Sequence, residues 1–172
     1  MNIKIREENE NDYLVIYNLV KDAFEFAEHS DGYEQNLVDK IRLSEEYIPE
    51  LSLVAVVDDK IVGHIMFTKT LPYSNGLIAM APLSVSPQHQ KMGIGKKLIE
   101  AAHIIAKKLK YKGVIVLGSE KYYPKFGYVE ASKFNIYPPF DVPSENFMAL
   151  EIEVNSMKDY SGKFKYSKCF GE

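Results

Sequence analysis

Apolar and polar positions change period several times along the 172 residues, and each change marks an element. Asn2 to Arg6 alternates Ile3 and Ile5 with polar neighbours, the pattern of a short strand with one buried face. The period then lengthens. Tyr13, Ile16, Tyr17, Val20 and Phe24 recur at helical spacing with Asn11 or Asp12 as cap, and Leu37, Val38 and Ile41 form a second helical stripe after the break at Ser30-Asp31-Gly32. Pro49 ends this section. Leu51 to Val57 is a continuous apolar run rich in β-branched residues, as a strand buried on both faces requires. Asp58-Asp59-Lys60 is its turn, and Ile61 to Lys69 returns as the partner strand, with Gly63 a bulge or a point of close approach. Pro72 to Gly76 makes a looser connection to a third strand, Leu77 to Val85. Within it Pro82 cannot donate to a ladder and marks an edge, a bulge or the place where pairing stops.

Beyond that strand, Leu98, Ala102, Ile105 and Leu109 describe one face of a helix whose other face shows Lys97, Glu100, Lys107 and Lys108. Gly113 closes the connection to a short apolar strand, Val114 to Leu117. Strand, helix and strand in one sheet imply a parallel, right-handed crossover. Gly118 to Phe126 allows a short helix. Tyr128 to Ala131 and Phe147 to Val154 alternate like late strands, separated by Tyr137-Pro138-Pro139-Phe140, which reads as a wall or lid. With no internal repeat and no linker, the expectation is one domain over residues 1–172.

Composition narrows the class. At 46% hydrophobic and 26% charged the chain is globular, and 21 Lys+Arg against 24 Asp+Glu leave a formal charge of -3. That balance gives no footprint for nucleic acid or an anionic membrane, so neither is expected as a partner. Cys169 is the single cysteine, which excludes an internal disulfide and a Cys-based metal site. His89 and His103 are too far apart for metal spacing and have no acidic companions, so no metal is assigned. The first ten residues lack the apolar core of a signal peptide, and no apolar run reaches the roughly 18 residues of a spanning helix. A soluble, cytoplasmic protein is the expectation.

Candidate chemistry centres on Leu83 to Lys97, L-S-V-S-P-Q-H-Q-K-M-G-I-G-K-K, where an apolar strand gives way to a helix across a glycine-containing turn. The first N–H groups of a helix lack intrahelical partners and lie at the positive end of the peptide dipoles, so such a turn is a socket for an anion. Gly93 and Gly95 let the backbone approach a bulky ligand, while Lys96 and Lys97 add positive charge and His89 stands close in sequence. The spacing Gln90-x-x-Gly93-x-Gly95 fits neither a Walker A loop nor the dinucleotide fingerprint.

Gln90-Lys91-Met92-Gly93-Ile94-Gly95 resembles the Arg/Gln-x-x-Gly-x-Gly/Ala signature of the GNAT superfamily of N-acetyltransferases, and Leu83-Ser84-Val85 resembles the strand just before it. Downstream, Tyr122-Tyr123-Pro124-Lys125-Phe126-Gly127-Tyr128 is similar to the family's Tyr-x-x-x-Gly-Phe/Tyr element, one helix and one strand away. The two elements cover the middle third of the chain in family order. The resemblance implies an α/β (α+β) fold with a mixed, mostly antiparallel twisted sheet and helices on both faces. It implies acetyl transfer from acetyl-coenzyme A, as co-substrate, to a primary amine of a small molecule or protein. The strand residues Leu83 and Val85 would pair with the pantetheine arm. Gln90, Lys91, Met92, Gly93, Ile94, Gly95, Lys96 and Lys97 would hold the pyrophosphate, with Gly118 and Tyr123 completing the cofactor site. Tyr123 corresponds to the family's general acid, a phenol that hands its proton to the departing thiolate. Tyr122 reads as packing.

The sequence departs from many relatives at the general base: Leu77 to Pro87 contains no Asp or Glu. Glu28 and Glu34, with His29 and His64, are the alternatives, though Glu28 and Glu34 also read as a solvated helix face and His64 as a buried hydrogen-bonding histidine. A water chain to backbone carbonyls is open too. Two further readings stand beside the enzyme. A non-catalytic acyl-coenzyme A sensor would bind without releasing thiol. An unrelated nucleotide-phosphate binder would ignore coenzyme A. A homodimer is compatible with all three.

Overall fold

The computed structural model describes residues 1–71 and 76–171; the expected connection at Pro72 to Asn75 lies outside the described residues. Strands β1 (Lys4–Glu7), β2 (Tyr47–Val57), β3 (Lys60–Lys69), β4 (Leu77–Val85), β5 (Gly113–Leu117), β6 (Val129–Glu130) and β8 (Phe147–Glu151) form one seven-stranded sheet of order β1-β2-β3-β4-β5-β8-β6. β7 (Ile136–Tyr137) and β9 (Gly162–Lys163) make a separate parallel pair. The helices are α1 (Tyr13–Phe24), α2 (Glu34–Arg42) and α3 (Ile94–Lys108). By its internal contacts the chain divides into two compact units, residues 1–67 with 81–105, and 68–80 with 106–172. None of the described helices is long and apolar enough to cross a membrane.

In the first unit β1 runs antiparallel to β2, Lys4 opposite Val56 and Glu7 opposite Leu53. β2 starts four residues earlier than the apolar run suggests and contains Pro49. The β1 register covers Leu53 to Val56 only, so Pro49 needs no donor toward that neighbour. Asp58 and Asp59 both adopt left-handed backbone, φ 47° and 61°, which closes the β2–β3 hairpin with two residues. Gly63 serves close approach: a Cβ there would lie 2.8 Å from Ile94 Cγ2 and 3.0 Å from Leu98 Cδ1. α3 therefore packs on the Gly63 face of β3. The next side chain, His64, points to the opposite face and meets Arg42 of α2 through Glu8. Helices thus cover both faces of this part of the sheet, as expected from the resemblance. Asp12 stands at the N-cap position of α1, one of the two expected, but its carboxylate makes no capping bond to that helix: Oδ2 accepts from Asn9 N–H at 2.9 Å and pairs with Arg6, while Asn9 Oδ1 accepts from Asn11 N–H. Both short polar side chains are spent on the turn Glu10–Asp12 that leads into the helix.

In the second unit β4 runs parallel to β5, Leu77 opposite Gly113 and Ala79 opposite Ile115, and β5 runs antiparallel to β8. The strand, helix, strand crossover is therefore parallel, as predicted. Buried Leu77, Ile115, Phe147, Met157 and Phe164 form its core, with Ala131 and Ile136. Corrections here concern extent. Leu109 lies past the end of α3 and is 41% exposed. The helix expected within Gly118 to Phe126 is one 3-10 turn, Tyr123–Phe126, and the late strands shorten to Val129–Glu130 and Phe147–Glu151. The Pro-rich stretch follows β7, with Phe140 stacked on Tyr166 at 6.0 Å.

Candidate active site

The glycine turn lies in the first unit. Ser86 N–H donates to Val62 C=O at 2.8 Å, which ties the end of β4 to β3, and Pro87–His89 makes one 3-10 turn. Lys91 and Gly93 then take left-handed backbone, φ 63° and 84°. Lys97 N–H to Gly93 C=O, 3.1 Å, is the first bond of α3. The N–H groups of Ile94, Gly95 and Lys96 precede it and have no intrahelical acceptor, the arrangement that accepts an anion. A Cβ on Gly93 would meet no chain atom within 4 Å, so the glycine answers to its φ and to whatever approaches from outside. Ile94 is buried beneath Gly63, which anchors the turn from below. Met92, Lys96 and Lys97 are exposed around it. His89 Nδ1 lies 3.4 Å from Ser86 Oγ.

The ladder between β4 and β5 runs from Leu77 to Ala79 and ends three residues before Pro82. Leu83 and Val85 are thus free of the β5 ladder, as the reading of Pro82 predicts. One part of that expectation is corrected: Val85 C=O is not free, because Gln90 Nε2 donates to it at 3.3 Å. Gln90 therefore braces the turn against the strand end.

The second unit carries the tyrosines. Tyr123 opens the 3-10 turn and its ring meets Tyr122 and Tyr128 edge-on, at centroid separations of 5.2 and 5.7 Å. Burial pushes its phenol well above the ordinary value, and Tyr122 adds to the shift, so the hydroxyl keeps its proton across the neutral range. Gly118 leaves the space that the Tyr123 ring fills, with Tyr123 Cδ2 at 3.1 Å from a Cβ position there. Its backbone N–H donates to Asn146 C=O at 2.9 Å and its C=O accepts from Asn146 Nδ2 at 3.0 Å. Gly118 thus shapes the seat of Tyr123. Tyr122 packs on Phe126 at 5.2 Å, in keeping with a packing role.

Of the candidate bases, Glu28 and His29 are exposed in the segment after α1. Glu34 opens α2 and its Oε2 is buried with no hydrogen-bond partner among the described residues. His64 is fully buried. The residue that the sequence did not single out is Glu8, whose carboxylate is wholly buried. Oε1 accepts from Arg42 Nε at 2.9 Å and Tyr47 Oη at 2.8 Å; Oε2 accepts from Arg42 Nη2 at 2.9 Å and pairs with His64 Nε2 at 3.0 Å. Burial alone would raise the Glu8 carboxyl, but hydrogen bonds from Arg42 and His64 outweigh it and hold the group far below the usual carboxylate range. Arg42 lies 3.9 Å over the Tyr13 ring. In E-E-N-E the residue reads as one solvated charge among several, and no local signal separates Glu8 from Glu7. No cluster of three or more His, Cys, Asp or Glu suited to a metal ion occurs among the described residues.

The acetyltransferase (GNAT) family model matches residues 13–128. The chain is 34% identical over 129 residues to the uncharacterized N-acetyltransferase YjhQ of Escherichia coli, covering 72% of this chain and 68% of that protein. The structure of the GNAT family N-acetyltransferase YhbS from Escherichia coli in complex with CoA superposes with TM-score 0.89 at 21% identity, over 100% of this chain and 93% of that one. A GNAT family acetyltransferase from Brucella melitensis in complex with acetyl-CoA gives TM-score 0.81 at 27% identity, over 98% of each. This chain belongs to the GNAT family of N-acetyltransferases.

Proposed function

We propose that residues 1–172 act as one acetyltransferase domain that moves acetyl from acetyl-CoA to a primary amine. The observation that carries this is the turn Gln90 to Gly95: left-handed Gly93 and the first N–H groups of α3, which have no intrahelical acceptor, follow a strand that has left its β5 ladder before Pro82. Pyrophosphate oxygens would accept from Ile94, Gly95 and Lys96 N–H, with Lys91, Lys96 and Lys97 offsetting charge and Met92 at the rim. The pantetheine amides would bond Leu83 and Val85, which requires Gln90 to release the Val85 carbonyl. Coenzyme A complexes of relatives with the same fold support this reading.

Acetyl transfer needs a neutral amine, stabilisation of the tetrahedral oxyanion and a proton for the thiolate. Tyr123, with its proton held by burial, supplies the last, and Gly118 makes room for its ring. Glu34, with one buried oxygen that has no partner among the described residues, and exposed Glu28 attract the ammonium form of the acceptor. The test is thiol release from acetyl-CoA over a panel of primary amines. Release with at least one amine is expected. Acetyl-CoA binding without release on any amine would favour a non-catalytic acyl-CoA module.

A further inference from the structure

His64 sits in β3 with its ring fully buried and only one nitrogen satisfied. Nε2 meets Glu8 Oε2 at 3.0 Å, while Nδ1 has no hydrogen-bond partner among the described residues. The charge on Glu8 decides the tautomer. An ionised carboxylate only accepts, so Nε2 must carry the hydrogen and donate it, which leaves Nδ1 as a bare lone pair. Arg42, with both Nε and Nη2 on the same carboxylate, keeps Glu8 ionised. Burial lowers the basicity of the ring, although the Glu8 hydrogen bond and charge work the other way, so His64 is neutral at neutral pH and ready to accept.

A second orphan lies beside it. Ser86 N–H on Val62 C=O places Val62 opposite Ser86, and two residues inward along the antiparallel strands His64 faces Ser84. Cross-strand neighbours project to the same side of a sheet. Ser84 is 2% exposed and its Oγ has no partner among the described residues either. Buried polar atoms are normally paired, so two neighbouring ones without partners among the described residues point to a ligand that supplies them. Ser84 lies between Leu83 and Val85, on the strand segment assigned above to the pantetheine arm.

Resting on the acetyl-transfer reading, we propose that His64 is the proton acceptor of the reaction and that the Ser84 hydroxyl connects it to the amine. The ammonium gives a proton to Ser84 Oγ as the Ser84 O–H proton passes to His64 Nδ1, which leaves a neutral amine and an imidazolium stabilised by Glu8. The nitrogen lone pair then bonds to the thioester carbonyl carbon. The C–S bond breaks, sulfur receives the Tyr123 proton, and the second proton lost by the nitrogen restores Tyr123. His64 returns its proton to solvent. Other charged or titratable groups acting on the ring are Arg42 and Asp12, with Tyr47 bound to the far oxygen of Glu8. This assignment fills the role for which β4 offers no carboxylate.

The experiment measures thiol release from acetyl-CoA by the full chain with benzylamine, spermidine and lysine across pH, for the unaltered protein, Ser84→Ala and His64→Gln. Each variant is expected to lose about 10²-fold in kcat/KM for the amine near neutral pH, with the KM for acetyl-CoA unchanged. The loss should shrink as pH rises and solvent deprotonates the amine. Ser84→Ala removes a hydroxyl with no partner among the described residues, so it folds even if His64→Gln does not. Nitrogen-15 NMR of the imidazole adds a readout independent of turnover: at neutral pH Nε2 should be protonated and Nδ1 bare. An Nδ1–H tautomer, full activity in both variants, or a loss of equal size at every pH overturns the proposal. If the unaltered protein releases no thiol with any amine, the acetyl-transfer reading fails and the proposal falls with it.

Discussion

Glu8 Oε2 and His64 Nε2 stand 3.0 Å apart with both side chains wholly withdrawn from water. The pair survives burial because Arg42 supplies the opposite charge with two of its nitrogens and Tyr47 a further donor. Removing one partner from such a pair leaves an uncompensated charge and costs about 3–5 kcal/mol.

Acid should therefore destabilise the protein in two stages. His64 and His103 are held below the ordinary histidine value by burial, His103 to about 4. The unfolded chain thus binds protons that the fold refuses once pH drops below about 6.5, and stability falls. The Glu8 contribution is complete above the ordinary carboxylate value of about 4.3 and is lost as pH falls from there toward its depressed folded value. Urea unfolding at a series of pH values should show this decline, and His103→Gln should flatten the part between about 6.5 and 4. Equal stability at neutral and mildly acid pH would contradict the assignment.

Acetyl-CoA should raise the melting temperature, since a ligand of the native state at about 100 times its dissociation constant adds roughly 2.7 kcal/mol. Gly93→Val places a branched side chain at φ 84°, where it is strained, in the turn proposed to hold the pyrophosphate. The variant should fold, with a melting temperature a few degrees lower, and show no shift with acetyl-CoA. Binding by this variant at wild-type affinity, measured calorimetrically, would place the anion socket elsewhere.

Tyr123→Phe should lower turnover at saturating substrates by about 10²-fold or less, because a thiolate is a fair leaving group, with little change in the KM for acetyl-CoA. Tyr122→Phe is the matched control and should stay near wild type. Gly118→Ala tests the same position from beneath, because its methyl group would displace the Tyr123 ring. It should lose turnover without losing coenzyme binding. Wild-type turnover in Tyr123→Phe removes Tyr123 from the chemistry.

Glu34→Gln should raise the KM for a cationic amine several-fold and leave that for acetyl-CoA unchanged, since it removes charge from a carboxylate with one buried oxygen that has no partner among the described residues. Glu28→Gln, on an exposed side chain, should act more weakly and lose its effect at high salt. If instead either variant loses rate only on the neutral-pH limb, that carboxylate, and not His64, is the base.

Much of the fold was legible because its signals are local. The β2 apolar run, the Asp58-Asp59 turn, the glycine turn and the strand–helix–strand order each lie within a few dozen consecutive residues, and each maps onto an observed element. The same holds for the spacing of Gln90, Gly93 and Gly95 and for the tyrosine element around Tyr123, which together indicated the family.

What the sequence by itself determined, then, is element type, the crossover and the position of the glycine turn, because dihedral preference and periodicity are properties of neighbours in the chain. Only the tertiary structure decided which of several identical-looking charges goes inside. Glu8 and His64 are 56 positions apart, and Glu8 differs from Glu7 only by where the end of β1 turns it. Likewise Asp12 holds the N-cap position of α1 without a side-chain bond to that helix, because its carboxylate is taken by Arg6 and by Asn9 N–H. The β7–β9 pair joins two-residue strands far too short to show a period. Burial of a charge depends on which partners the fold brings to it, and for Glu8 those partners come from α2, β2 and β3.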